Sequence, residues 1–230
     1  MKVGLIVLCR YNSSRLPGKI LKQIAQKPLL DYILERLNLV KNADQVVVAT
    51  SDESTDDPIA AHCLKMGIPC FRGSLDNVAA RFYHCAEHFR FDYAVRINGD
   101  NLFTDHELID EMINTAVANR YNFVSNVKGR TYPTGMSIEI VKTGFYKKML
   151  PLFDSDAYKE HVTLYFYEHP DQVSDAYHQV NDEVPAAKGM KLAVDSEEDF
   201  TFASQVISSM TGPHTGYKWS ELIKLIRSIR

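Results

Sequence analysis

Hydrophobic positions alternate between two rhythms over the first half of the chain. Residues 3–9, Val-Gly-Leu-Ile-Val-Leu-Cys, form a short apolar run, the pattern of a strand buried on both faces. Runs at 45–50, 68–71 and 93–97 repeat it. Between them, apolar residues recur at helical spacing over about 28–40, 57–66 and 76–89. In the last of these, Val78, Phe82, Cys85 and Phe89 make one stripe. Such alternation predicts βαβ units, a parallel sheet and right-handed crossovers. A helix over 105–118 and a strand over 122–125 extend the series.

After residue 126 the rhythm changes. Residues 136–141 alternate as a strand of another type. Residues 156–180, rich in Tyr, His and Phe, do not continue the βα repeat. They read as an inserted arm contacting a second copy, since aromatics are enriched at interfaces; a cap folded onto its own domain is the alternative. Residues 191–194 predict a returning strand. Ser196 with Asp199 makes a capping-box start for the next helix, and 220–230 predict a terminal one. No repeat, low-complexity tract or linker divides the chain, so one domain over 1–230 is expected.

Composition narrows the class. A formal charge of −3 over 230 residues argues against a general nucleic-acid or anionic-membrane binder. No apolar run approaches the ~18 residues of a membrane span. The chain enters its first strand directly, without a signal-peptide layout. Cys9, Cys63, Cys70 and Cys85 lie in apolar surroundings with no Cys-x-x-Cys pair. They read as buried thiols in a reducing cytoplasm.

Against that acidic background, Arg10-Tyr-Asn-Ser-Ser-Arg15-Leu-Pro-Gly-Lys19 stands out. A strand ending in a small polar loop with two arginines and a lysine can cradle phosphates with its N–H groups and cations. It is not a Walker A loop, which would need Gly at 13 and Ser or Thr at 20, where the chain has Ser13 and Ile20. Nor is it a dinucleotide fingerprint, because Gly18 stands alone. A basic surface turn is the plainer reading. Asp100 follows the strand over 93–97, and Asp195 follows 191–194, the carboxyl ends where open α/β sheets bind ligands. Either Asp alone reads as a turn or cap residue. Together beside a phosphate loop they suggest Mg²⁺, which takes one or two carboxylates plus phosphate oxygens. Gly99 would admit the ligand closely. His84-Cys-Ala-Glu87-His88 fits an inverted zinc-protease pattern, but its histidines lie off the buried stripe and read as a solvated face.

These residues resemble the opening signature of cytidylyltransferases that make CMP-activated sugars, the CMP-Kdo and CMP-sialic acid synthetases and, nearest, the spore-coat polysaccharide SpsF-type branch. Four more segments resemble that branch in order: Phe71-Arg-Gly-Ser-Leu-Asp-Asn-Val78, Val95-Arg-Ile-Asn-Gly-Asp100, Tyr132-Pro-Thr-Gly-Met-Ser-Ile-Glu139 with Glu160-His-Val-Thr163, and Leu192-Ala-Val-Asp195-Ser-Glu-Glu-Asp199. The resemblance implies an α/β nucleotidyltransferase (GT-A-like) fold, a Rossmann-like three-layer sandwich with a mixed, mostly parallel sheet and an inserted dimerisation arm. It implies Mg²⁺-dependent transfer of CMP from CTP to an acidic sugar or related acceptor, releasing pyrophosphate, in a homodimer. By position, Leu8, Cys9 and Arg10 would hold the cytosine, Arg15 and Lys19 would grip the β- and γ-phosphates, and Ser14 would belong to the nucleotide site. Arg72, Asp76 and Asn77 would line the nucleotide pocket, Asp100 and Asp195 would hold Mg²⁺, and Glu139 and His161 would face the acceptor. His161 is the candidate base. Asn101-Leu102 stands where the branch commonly has Cys-Pro, and Asn77 where Asp is commoner, which leaves the acceptor open. A glycosyltransferase using a nucleotide-sugar, or a non-catalytic nucleotide-binding subunit of the same fold, are the competing readings.

Overall fold

The N-terminal apolar run forms β1 (Val3–Leu8), buried at every position. The computed structural model describes residues 1–229. Beyond the loop after β1, a small hairpin of β2 (Gln23–Ile24) and β3 (Lys27–Pro28) turns on Ala25 and Gln26, both left-handed. With neither Gly nor Asn at that turn, its sequence carries no hairpin signal. The strand–helix series follows as α1 (Leu29–Leu37), β4 (Gln45–Ser51), α2 (Asp57–Met66), β5 (Cys70–Gly73), α3 (Val78–His88), β6 (Tyr93–Asn98) and α4 (His106–Ala118). Side-chain caps start two of these helices: Asn77 accepts from Ala80 N–H and Asp105 from Leu108 N–H.

The second half comprises β7 (Phe123–Ser125), β8 (Glu139–Lys142), α5 (Thr143–Met149), α6 (Asp156–Glu160), α7 (Leu164–Glu168), β9 (Ala176–His178), α8 (Glu197–Ser208) and α9 (Trp219–Ile229). Seven strands form one mixed sheet in the order β5-β4-β1-β6-β8-β7-β9. Its β5-β4-β1-β6 part is parallel, and β8 runs antiparallel to both β6 and β7. Alternation along β1 divides the core. Leu5 and Val7 pack with residues of α1, α2, α4, α8 and α9, while Ile6 and Leu8 pack with α3, α5 and α7. Helices thus cover both faces, in the three-layer arrangement the sequence implied.

Two segments differ from their sequence-based reading, and a third packs onto its own domain, one of the two readings offered for it. The strand expected over 136–141 begins only at Glu139, because the Asn126 side chain takes the Met136 carbonyl and the Ile138 N–H at 2.8 Å each. No strand forms over 191–194. Leu192 and Ala193 N–H both donate to the Thr134 carbonyl, and Val194 N–H to the Asp100 carbonyl at 3.1 Å, making a strap across the strand ends. Within 156–180, Val162, Tyr165, Phe166 and Val173 are buried against Phe82, Tyr146 and Phe153, and β9 adds a parallel strand beside β7. The capping box of Ser196 and Asp199 is present. Cys70 is half-buried, unlike the other three cysteines, and all four are free. The last residue of the expected terminal helix, Arg230, lies outside the described residues.

Two positions brace this frame. Arg36 in α1 is fully buried and donates to the carbonyls of Thr104, His214 and Tyr217, tying α1 to the segment before α9. Burial pushes its guanidinium down to about 10, with Asp105 opposing. Gly135 holds the strap: its φ is +99°, and a Cβ there would meet Ala193 N at 2.3 Å. Gly135→Ala therefore lowers the unfolding free energy by about 2–3 kcal/mol, read by urea denaturation. A variant as stable as the parent would show that the strap is not under this constraint.

Candidate active site

Polar residues at the carboxyl ends of β1, β4 and β6 build the site. The loop after β1 is fastened to β4 by Asp56, a buried carboxylate accepting from Tyr11 N–H at 2.7 Å, the Thr50 hydroxyl at 2.7 Å and Ser51 N–H at 2.9 Å. Burial works to raise its carboxyl, but hydrogen bonds from Ser51, Tyr11 and Thr50 prevail and hold it below the usual carboxylate range. Tyr11 carbonyl in turn accepts from Ser13 and Gly18 N–H, closing the loop on itself. Gly18, left-handed at φ 72°, then starts the turn that carries Lys19.

Lys19 is the centre of charge. Its Nζ donates to the Val194 carbonyl at 2.7 Å and lies 3.3 Å from Asp195 Oδ1 and 3.7 Å from Asp100 Oδ2. Arg15 reaches the same Asp195 oxygen at 2.9 Å. The strap brings these two carboxylates together, and the cations offset their repulsion. Burial pushes the Asp100 carboxyl up; Lys19 and Arg96 pull it down, and Asp195 pushes it up further. Asp100 Oδ1 is buried without a hydrogen-bond partner. An orphaned carboxylate oxygen beside a second carboxylate is a donor set that fits a divalent cation with hard-oxygen preference. Among the described residues no group of three or more His, Cys, Asp or Glu could hold a metal, so the chain would supply two carboxylates and a ligand the rest. His84, Glu87 and His88 are exposed on α3.

A cavity of about 330 Å³ opens over this centre, lined by Leu8, Cys9, Arg10, Ser14, Arg15 and Lys19 of the loop with Asp100 and Asp195. Burial pushes the Cys9 thiol well up, so it presents S–H rather than thiolate. Arg10 spans to Glu160 of α6 at 3.3 Å. Arg72, Asp76 and Asn77 are not brought to this cavity. Arg72 donates to the Ser51 and Glu53 carbonyls and to Asp57, Asp76 is exposed, and Asn77 caps α3. Arg81 lines it instead, buried, with Nη1 on the Ser74 carbonyl and Nε without a partner. Its signal was present: a cation three residues after Val78, inside the apolar stripe. Gly99 lines this cavity too, beside the end of β1, where a Cβ would meet Cys9 Cβ at 2.7 Å.

A second cavity of about 500 Å³ adjoins the first and shares Arg15, Arg96, Asn98, Asp100, His161 and Asp195 with it. Glu139 and His161 line it, together with Arg130 and Tyr167. Glu139, however, is buried and its carboxylate is fully engaged. Oε1 accepts from Thr163 and Tyr167, and Oε2 from Arg96. Burial works to raise it, but Arg96, Thr163 and Tyr167 hold it below the usual range.

Comparison with known proteins follows the same lines. A family model described as cytidylyltransferase matches residues 5–209. The spore coat polysaccharide biosynthesis protein SpsF of Bacillus subtilis is 32% identical over 228 residues, covering 96% of this chain and 92% of its own. A solved cytidylyltransferase from Leptospira borgpetersenii superposes with a TM-score of 0.92 at 29% identity, over 100% of this chain and 95% of that one. CMP:2-keto-3-deoxy-manno-octonic acid synthetase, solved with CTP, shares the fold at a TM-score of 0.68 and 16% identity, over 90% and 99%.

Two measurements probe the charges. Asp56→Ala lowers the unfolding free energy by about 2–3 kcal/mol in chemical denaturation, as three donors lose a charged acceptor. Because the folded carboxyl of Asp56 lies below its unfolded value of 3.8, its contribution is complete above that value and is lost as pH falls through the folded one. The deficit of Asp56→Ala should therefore shrink in acid. Asp100 has the opposite sign: its raised carboxyl makes the ionised form a cost that grows as pH rises through the folded value. Asp100→Asn accordingly raises the melting temperature of the ligand-free protein in chelator at neutral pH, and the gain vanishes at low pH.

Proposed function

The chain belongs to the cytidylyltransferase family, CTP-using nucleotidyltransferases of sugar and polysaccharide biosynthesis, and from that premise we propose that it transfers CMP from CTP to an anionic sugar or related acceptor, with Mg²⁺, releasing pyrophosphate. The observation that carries this reading is the pairing of Asp100 and Asp195 around Lys19, where a loop-lined cavity runs into a second one. Two adjoining cavities sharing one charged centre are what a reaction joining a nucleotide to a second substrate needs.

Mg²⁺ on Asp100 and Asp195 would neutralise charge on the phosphate oxygens. The residues of the chain do the rest by position and charge. Lys19 and Arg15, leaving their carboxylates, stabilise the departing pyrophosphate. The acceptor enters through the second cavity and its oxygen attacks the α-phosphorus in line. His161, which lines both cavities, would take a proton where the acceptor brings one.

A thermal-shift comparison of the four nucleoside triphosphates, with Mg²⁺ and with chelator, tests the reading. CTP with Mg²⁺ should stabilise most, and chelator should remove most of the gain. No shift with CTP and Mg²⁺ would sink it, and stabilisation by nucleotide-sugars alone would favour a glycosyltransferase. With any sugar acid that supports turnover, Lys19→Ala should lower kcat/KM by about 2–4 kcal/mol, roughly 30- to 1,000-fold.

A further inference from the structure

The boundary between the two cavities holds a cation to which the proposed reaction gives no task. Arg96 lies on β6 directly across from Glu139 of β8 in the antiparallel register. Only 16% of its side chain is exposed, yet it lines both cavities. Nη1 donates to Glu139 Oε2, while Nε is buried with no acceptor at all.

The surroundings fix it in place. Glu139 accepts from Thr163 at 2.6 Å and from Tyr167 at 2.7 Å, and Tyr167 also bonds Ser125. Every partner belongs to a strand or to the segment over 156–180, so the carboxylate that holds the guanidinium is itself fixed from the sheet and from that segment. A buried ion pair is poor value as stability alone, because desolving two charges consumes most of the Coulomb gain. An unmet buried N–H adds a further cost. An arginine whose accessible donors meet an anion recovers part of these costs. Guanidinium forks match carboxylate and phosphate oxygens.

We infer that Arg96 is the oxyanion-binding residue at the junction of the cavities, contacting either the α-phosphate of the nucleotide or the ionised group of the acceptor, with Glu139 as its positioning residue. This rests on the proposed nucleotidyl transfer. It gives Glu139 the task of aiming Arg96 rather than of touching the acceptor. It also gives the second cavity a cation at its inner end, so a neutral polyol would leave the guanidinium unmet.

The two sources of the anion separate by titration. The ratio of CMP to cytidine affinity measures the α-phosphate contact, and protection of the CTP-loaded protein against thermal unfolding by D-gluconate measures an acceptor-side carboxylate. If the α-phosphate is the partner, Arg96→Gln lowers the CMP-to-cytidine ratio at least tenfold, and Arg96→Lys restores part of it. If the acceptor is the partner, that ratio holds and gluconate protection is lost. Glu139→Gln should move the same readout in the same direction by a smaller factor, with the melting transition intact. Where Arg96→Gln alone unfolds the protein, Arg96→Gln with Glu139→Gln leaves no buried charge unpaired and takes the same measurements. Wild-type levels in both arms overturn the inference while CTP binding by the parent protein stands. Failure of the parent to bind CTP overturns the nucleotidyl-transfer reading instead.

Discussion

The hydrogen bond from Val194 N–H to the Asp100 carbonyl is the constraint on which the site depends. It places two carboxylates from distant parts of the chain side by side, an arrangement their mutual repulsion opposes. Lys19 makes it tolerable by standing between them, and Arg15 adds a second positive charge on Asp195. The loop can present Lys19 there only because Asp56 ties it to β4. Backbone geometry thus creates the electrostatic problem, and the loop supplies the charges that answer it.

The cleft has two unlike walls. On the nucleotide side, short loops at strand ends present backbone groups and cations, a surface suited to phosphates. On the other side, the Glu139 network joins β8 to the cap through Thr163 and Tyr167, and Arg10 meets Glu160 across the opening. The aromatic residues of 156–180 share this work. Tyr165 and Phe166 are packed inward against Phe153 and Tyr146, while Tyr167 reaches the polar network. One short helix therefore anchors the cap and completes the second cavity.

Legibility followed the kind of force involved. Strands buried on both faces leave continuous apolar runs, so β1, β4 and β6 and the helices between them were readable from residue type. The meeting of Asp100, Asp195 and Lys19 was foreshadowed by charge in otherwise apolar stretches, although Asp195 follows a strap and not the strand expected there. The strap over 191–194 and the three-residue β9 were not, since backbone hydrogen bonds hold them and those have no side-chain signature. The same is true of the shortened β8, where one Asn126 side chain replaces strand pairing. Arg72 and Arg81 mark the limit most clearly. Both flank the same loop, but Arg72 is used up on the Ser51 and Glu53 carbonyls and on Asp57, whereas Arg81 sits on the buried stripe and lines the cavity. Distinguishing them requires knowing which way α3 turns its faces.

Arg36 couples the order of synthesis to the order of folding. Two of its three acceptors, the carbonyls of His214 and Tyr217, lie 178 and 181 residues downstream. At ribosomal speeds of about 5–20 residues per second, roughly 10–40 s pass between the emergence of α1 and of its acceptors. Seating α1 in the core before then would bury a guanidinium short of partners, at a cost of several kcal/mol. Full seating of α1 is therefore disfavoured until the segment around His214 and Tyr217 has been made. Until that segment has been made, the face of β1 that carries Leu5 and Val7 lacks the helix that would cover it with all of its polar contacts met.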